Sequence, residues 1–153
     1  NNLIEHNRVN SGILSIDPSL NYAKYFNTIE RNFCIDYFFP NLDEARIISG
    51  VGDYKEAANI LHTKNIKNVI ITLGRDGCYF WNSNHCKLYK PITIVKKHLS
   101  IGAGDNFVAG FISAKINRLS VEECILNANK SALDYIKKKI KKNYKNLKLL
   151  FLK

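Results

Sequence analysis

The chain has 153 residues, 46% hydrophobic and 24% charged, a balance that suits one globular domain and excludes a disordered segment. No apolar run nears the ~18 residues of a membrane span, and no signal-peptide succession opens the sequence. The net charge of +10 is mostly local, because residues 137–153 carry eight Lys and no acid, against 15 basic and 13 acidic groups in residues 1–136.

Gly12 to Asp17 is a short apolar run ended by an acid and Pro18, and predicts a strand. Within 20–32, Tyr22, Tyr25, Phe26 and Ile29 share one helical face. Cys34 to Phe39 predicts a second strand, closed by Pro40. Asn41 to Ser49 reads as a short helix with Gly50 as its stop, and Tyr54, Ala57, Ala58, Leu61 and Asn65 mark another. Val69 to Leu73 is apolar on both faces, as a buried parallel strand requires. Gly77–Trp81 and Lys87–Tyr89 flank Asn82-Ser83-Asn84 and predict an antiparallel hairpin. A strand is placed at 92–96, then helices at Asp105–Asn117 and from Val121 to about Lys139. Strands alternating with helices predict an α/β layered domain with a mostly parallel sheet.

The Lys-rich end reads as a solvated helix end; a nucleic-acid surface would bring an Arg cluster or interleaved aromatics. Cys34, Cys78, Cys86 and Cys124 are widely spaced, without a C-x-x-C pair, which argues against a zinc ribbon or a disulfide scaffold. Reduced, mostly buried thiols in a cytoplasmic protein are expected. Met is absent, even at position 1, so the chain is expected to begin inside a longer product.

Three segments could carry chemistry. In Gly102-Ala103-Gly104-Asp105, two glycines precede a helix, so that successive N–H groups and the helix N-terminus could cradle a phosphoryl group. Asp105 could then accept the proton of an attacking hydroxyl, or be an ordinary N-cap. A P-loop would need Gly-Lys-Ser/Thr where Asp105-Asn106 stands, and a dinucleotide fingerprint would need a small residue at Phe107. A positive φ is expected at Gly104, with Val there damaging turnover and folding. Asn41-x-x-Glu44 is a capping-box pattern that follows a strand, and Asp53-x-x-Glu56 and Ser120-x-x-Glu123 repeat it. Thr72-Leu73-Gly74-Arg75-Asp76-Gly77 is either a tight turn or a backbone cradle for a nucleotide.

Taken in order, Asn41-x-x-Glu44, Thr72-Leu73-Gly74-x-x-Gly77 and Gly102-Ala103-Gly104-Asp105, with Phe107-x-x-Gly110-Phe111 after them, resemble the C-terminal half of the PfkB carbohydrate kinase family. The resemblance implies a ribokinase-like three-layer α/β/α fold with a mostly parallel central sheet, here a C-terminal partial domain over 1–139 followed by a Lys-rich tail over 140–153. It implies a sugar or nucleoside kinase that uses ATP and Mg²⁺. Asp105 would be the base, and the backbone of Gly102, Ala103 and Gly104 the anion hole. Glu44 would help organise Mg²⁺. Asn41, Thr72, Leu73, Gly74, Arg75, Asp76, Gly77, Gly104 and Asn129 would lie near the nucleotide, and Asp17 and Asp105 toward the acceptor. Leu99 stands where members that use a monovalent cation carry Asp. Asp17-Pro18-Ser19, Lys24 and Phe39-Pro40-Asn41 lean toward ribokinase or pseudouridine kinase relatives, with fructokinase and adenosine kinase open. The expected partner is a small-molecule sugar or nucleoside, with no membrane and no nucleic acid, and the longer protein could be a homodimer. The alternative is a catalytically silent nucleotide-binding or assembly module working through its basic tail.

Overall fold

The computed structural model describes residues 12–28, 33–92 and 101–150. They group into two compact units, the first within Asn1–Leu73 and Gly77–Lys90, the second within Gly74–Asp76 and Pro91–Lys153.

The first unit is a mixed sheet with helices on it. Its strands are β1 (Ser15–Ile16), β2 (Ile35–Phe38), β3 (Ile66–Thr72), β4 (Cys78–Trp81) and β5 (Cys86–Tyr89), in the spatial order β1-β2-β3-β4-β5. The first three run parallel, and β3, β4 and β5 pair antiparallel. The strand predicted at 12–17 shrinks to two residues. Leu14 still belongs to the edge, since its carbonyl accepts the Asp36 and Tyr37 N–H groups and its own N–H donates to the Asp36 carboxylate at 2.9 Å.

Helices α1 (Leu20–Tyr25), α2 (Leu42–Ser49) and α3 (Tyr54–Thr63) complete this unit. The register puts Ile16, Phe38, Val69 and Trp81 on one face, with Ile71 and Tyr79 beside them. That face packs on Ala23 and Phe26 of α1's end, Ala45 and Ile48 of α2, and Ala57, Ala58 and Leu61 of α3. On the opposite face Tyr37, Phe39, Ile70, Cys78 and Phe80 are buried too, as the two-sided apolar reading of β3 requires. Asn65, expected on the helical face of α3, instead turns the chain into β3 with φ +65°. Its side chain donates to the Phe33 carbonyl, and its own carbonyl accepts the Ile35 N–H. Asn tolerates this left-handed conformation better than other residues with a side chain.

The second unit contains α4 (Ala103–Ile116) and α5 (Val121–Leu150), packed on each other through Phe107, Phe111 and Ala114 of α4 and Cys124, Ile125, Ala128 and Ile136 of α5. Helix α5 does not stop near Lys139 but runs through the Lys-rich stretch to Leu150. Lys is a good helix former, and no Gly or Pro interrupts residues 121–150. The predicted strand at 92–96 and Leu99 fall on residues 93–100, outside the described residues but for Ile92. Cys78 and Cys124 are buried as expected, while Cys86 is exposed on β5. Among the described residues no helix is long and apolar enough to cross a membrane.

Candidate functional site

In the first unit, Asp17 and the starts of two of the proposed segments lie at one sheet edge. Asp17 follows β1, Asn41 follows β2 and Leu73 follows β3, each at the carboxyl end of a parallel strand. That end is where open α/β sheets bind ligands. The Phe39 N–H donates to the Ile16 carbonyl and the Thr72 N–H to the Pro40 carbonyl, both at 2.9 Å, and Asn41 bridges Thr72. The edge therefore stays knit up to the residues that leave it.

Asn41 is the N-cap of α2 and closes a full capping box. Its Oδ1 accepts the Glu44 N–H at 2.9 Å, and Glu44 Oε2 accepts the Asn41 N–H at 2.8 Å. Gly50 ends the helix with φ +79°. Glu44 is only 6% exposed. Burial pushes its carboxyl above the ordinary range, the hydrogen bonds from Asn41 pull it back, and neighbouring Asp43 pushes it up again. Asp17 and Asn41 are exposed.

The loop Thr72–Gly77 is a tight turn in which the Leu73 N–H donates to the Gly77 carbonyl at 2.8 Å, around the single helical turn Gly74–Asp76. Gly77 has φ +100°, and a Cβ there would strike the Tyr89 carbonyl of β5. Arg75 and Asp76 are exposed.

In the second unit, Gly102 is the N-cap of α4, with φ +84° and no side-chain cap. The reading of Asp105 as an N-cap falls: it stands three residues into the cap frame, exposed, in the helix's first turn. The expected positive φ at Gly104 is also corrected. It belongs to Gly102, while a Cβ on Gly104 would meet nothing within 4 Å. Among the described residues the α4 start thus presents uncapped N–H groups and open space over Gly104, an arrangement suited to an anion, with the Asp105 carboxylate in the same turn. Asn106 Nδ2 donates to the Gly102 carbonyl at 2.8 Å.

Two residues that sequence reasoning passed over hold this turn. Lys139 Nζ donates to the Ile101 carbonyl at 3.1 Å, and a Cβ on Gly102 would lie 2.6 Å from the Tyr135 hydroxyl. Their spacing of four places them on one face of α5, a signal that only a known partner could have made readable. Asn129 lies six residues before Tyr135, ~9 Å along α5 at 1.5 Å per residue.

A model of the pfkB family of carbohydrate kinases matches residues 3–139. Similar curated proteins include a cytidine kinase of Thermococcus kodakarensis, 33% identical over 108 residues, spanning 68% of this chain and 38% of the relative. A ribokinase of Haemophilus influenzae is 33% identical over 110 residues, spanning 69% and 36%. The chain thus spans well under half the length of these relatives. Among solved structures, a PfkB protein of a Polaromonas species superposes with a TM-score of 0.73 at 22% identity, covering 88% of this chain and 46% of that one. A ribokinase of Arabidopsis thaliana, solved with ribose and ATP, superposes at 0.65 and 18% identity, covering 88% and 51%. The likeness in fold joins the family match over most of the sequence, and the chain belongs to the pfkB family of carbohydrate kinases.

Proposed function

We propose that this chain is part of an ATP-dependent kinase that phosphorylates a hydroxyl of a sugar or nucleoside, of the ribokinase or pseudouridine kinase type. The observation that carries this reading is the uncapped start of α4 at Gly102, with Asp105 exposed in its first turn. Family membership supports it, as do relatives named cytidine kinase and ribokinase. Residues 1–139 are the kinase portion and 140–153 a Lys-rich tail. The groups that hold the acceptor come largely from residues beyond this chain. The protein acts in the cytoplasm on a small molecule, with a homodimer as the assembly to test.

The backbone N–H groups of Gly102, Ala103 and Gly104 take the charge of the transferring phosphoryl group. The acceptor oxygen bonds to the γ-phosphorus, the bond from that phosphorus to ADP breaks, and the hydroxyl proton passes to Asp105. An ionised Asp is a weak base, but a loose transition state asks little of it until late. Asn41, the Thr72–Gly77 turn and Asn129 serve the nucleotide, and Asp17 lies toward the acceptor. Glu44 fits a magnesium site shared with phosphate oxygens and water, as a carboxylate anchored by the Asn41 N–H at the carboxyl end of the parallel strands. Bound there, Mg²⁺ would neutralise phosphate charge.

The test is Asp105→Asn in the full-length kinase, assayed with ribose, pseudouridine and fructose. Turnover should fall by about 10²–10⁴, while calorimetric ATP affinity stays within a few-fold. Near-normal turnover would overturn the assignment. Residues 1–153 alone should bind Mg-ATP weakly and leave all three acceptors unphosphorylated, and specific turnover by that piece would place the acceptor site within it.

A further inference from the structure

We propose that Lys139 and Tyr135 are positioning residues for phosphoryl transfer, with the Lys139 ammonium acting as a built-in cation on the turn that forms the anion hole. The inference rests on the kinase reading above. Gly102 holds φ +84°, a conformation that no side chain of its own stabilises. Something outside the turn must keep it in register, because the N–H groups that follow can be aimed only as well as the turn is fixed.

Two carbonyls precede those N–H groups. The Gly102 oxygen accepts from Asn106 Nδ2 at 2.8 Å and the Ile101 oxygen from Lys139 Nζ at 3.1 Å. The Gly102 carbonyl, as the N-cap's, is directed into the helix, whereas the Ile101 carbonyl precedes the helix and, left alone, is a partial negative charge beside the turn. Tying each to a side-chain donor fixes it and offsets its charge, and the ammonium does so with a full positive charge. Tyr135 closes the turn from the α5 side, with its hydroxyl and Cζ where a Cβ of Gly102 would lie 2.6 and 3.0 Å away. One helix face therefore supplies both a wall and a cation. Lys137 and Lys138 stand in the same run but are exposed and make no such contact among the described residues.

The experiment compares Lys139→Ala with Lys138→Ala in the full-length kinase, each removing one charge from the same helix. Lys139→Ala should lower kcat about tenfold or more, as small misplacements of catalytic groups do, with KM for the acceptor within twofold. Ammonium chloride should restore several-fold of that loss, by placing an N–H cation back on the Ile101 carbonyl. Tetramethylammonium at the same ionic strength, which has no N–H, should not. Lys138→Ala should match wild type with or without ammonium. Lys139→Gln keeps the stem and a neutral donor and should be intermediate, and it stands in if the alanine variant melts below assay temperature. Equal kcat for the Lys139 and Lys138 variants would overturn the proposal. So would a loss that ammonium does not move and that tracks the melting temperature. Asp105→Asn is run beside them. If it retains normal turnover, the kinase reading itself fails; if it is inactive while Lys139→Ala is not impaired, only the positioning role fails.

Discussion

Helices α2 and α5 start with the same four-residue pattern and put it to different physical use. Asn41 and Glu44 exchange hydrogen bonds at the start of α2, and Ser120 and Glu123 do so at the start of α5. Glu44, however, is buried, and burial lifts its carboxyl above the ordinary range. Glu123 is exposed, and the Ser120 hydroxyl and N–H hold its carboxyl below that range. A cap needs only the reciprocal hydrogen bonds. Sinking a carboxylate into the protein costs solvation and adds nothing to a cap. Spacing thus identifies a helix start, whereas burial at the carboxyl edge of the sheet sets Glu44 apart from Glu123 and is what the proposed metal role would explain.

The strongest way to break this contrast is to remove each charge without removing its acceptor. Glu44→Gln in the full-length kinase should lower turnover about 10- to 100-fold, the usual cost of disturbing a group that supports a metal. Glu123→Gln should leave it within twofold. Equal turnover for the two variants would mean that Glu44 is a cap and nothing more.

The start of α4 sharpens the contrast from the other side, because no side chain among the described residues caps it. Gly102→Ala should destabilise the protein by about 1–3 kcal/mol, since alanine is strained at a positive φ and its methyl would meet Tyr135. Gly104→Ala meets open space in a helical position and should be neutral or stabilising by up to about 1 kcal/mol. Urea melts of both variants decide this, and a reversed order would return the critical glycine to position 104.

These glycines also mark where the sequence stops being readable. The run Val69-Ile70-Ile71 forecasts a strand buried on both faces because that reading needs only composition, and all three residues are buried. The caps at Asn41 and Gly50 are equally local. By contrast, which of Gly102 and Gly104 carries the left-handed turn depends on Tyr135, 33 residues away on another helix, and no spacing rule spans that distance. Asn65 continues the helical repeat of α3 in sequence, yet its partners are Phe33 and Ile35. The extension of α5 to Leu150 is hidden because a Lys/Asn/Leu stretch has the composition of a solvated tail, although it holds no stop signal against its helix propensity.

Next in size are the cap side chains. Asn41→Ala and Ser120→Ala each remove an acceptor from a helix start, worth about 0.5–2 kcal/mol. The Asn41 variant should lose more, because it leaves the Glu44 N–H unpaired beside a buried carboxylate, whereas the Ser120 site is exposed and water can take over. Denaturant midpoints measure the difference, and a larger loss at Ser120 would place the burial argument on the wrong helix.

The smallest effect is the most direct reading of the contrast, because it reverses sign between the two helices. Glu44 has its folded-state pKa raised above the ordinary 4.5, so the folded chain holds that proton more tightly than the unfolded chain does. Its favourable contribution is present at low pH and is lost as pH rises from about 4.5 through the folded value. Glu123 has its folded value lowered, so its contribution is present above about 4.5 and is lost as pH falls through the folded value. Relative to wild type, Glu44→Gln should therefore gain stability as pH rises from 4 to 7, and Glu123→Gln should lose it. Urea midpoints of the three proteins across that range give the two slopes. If both variants drift in the same direction, burial does not dominate at Glu44, and the feature separating a functional carboxylate from an ordinary cap must be sought in what binds to it.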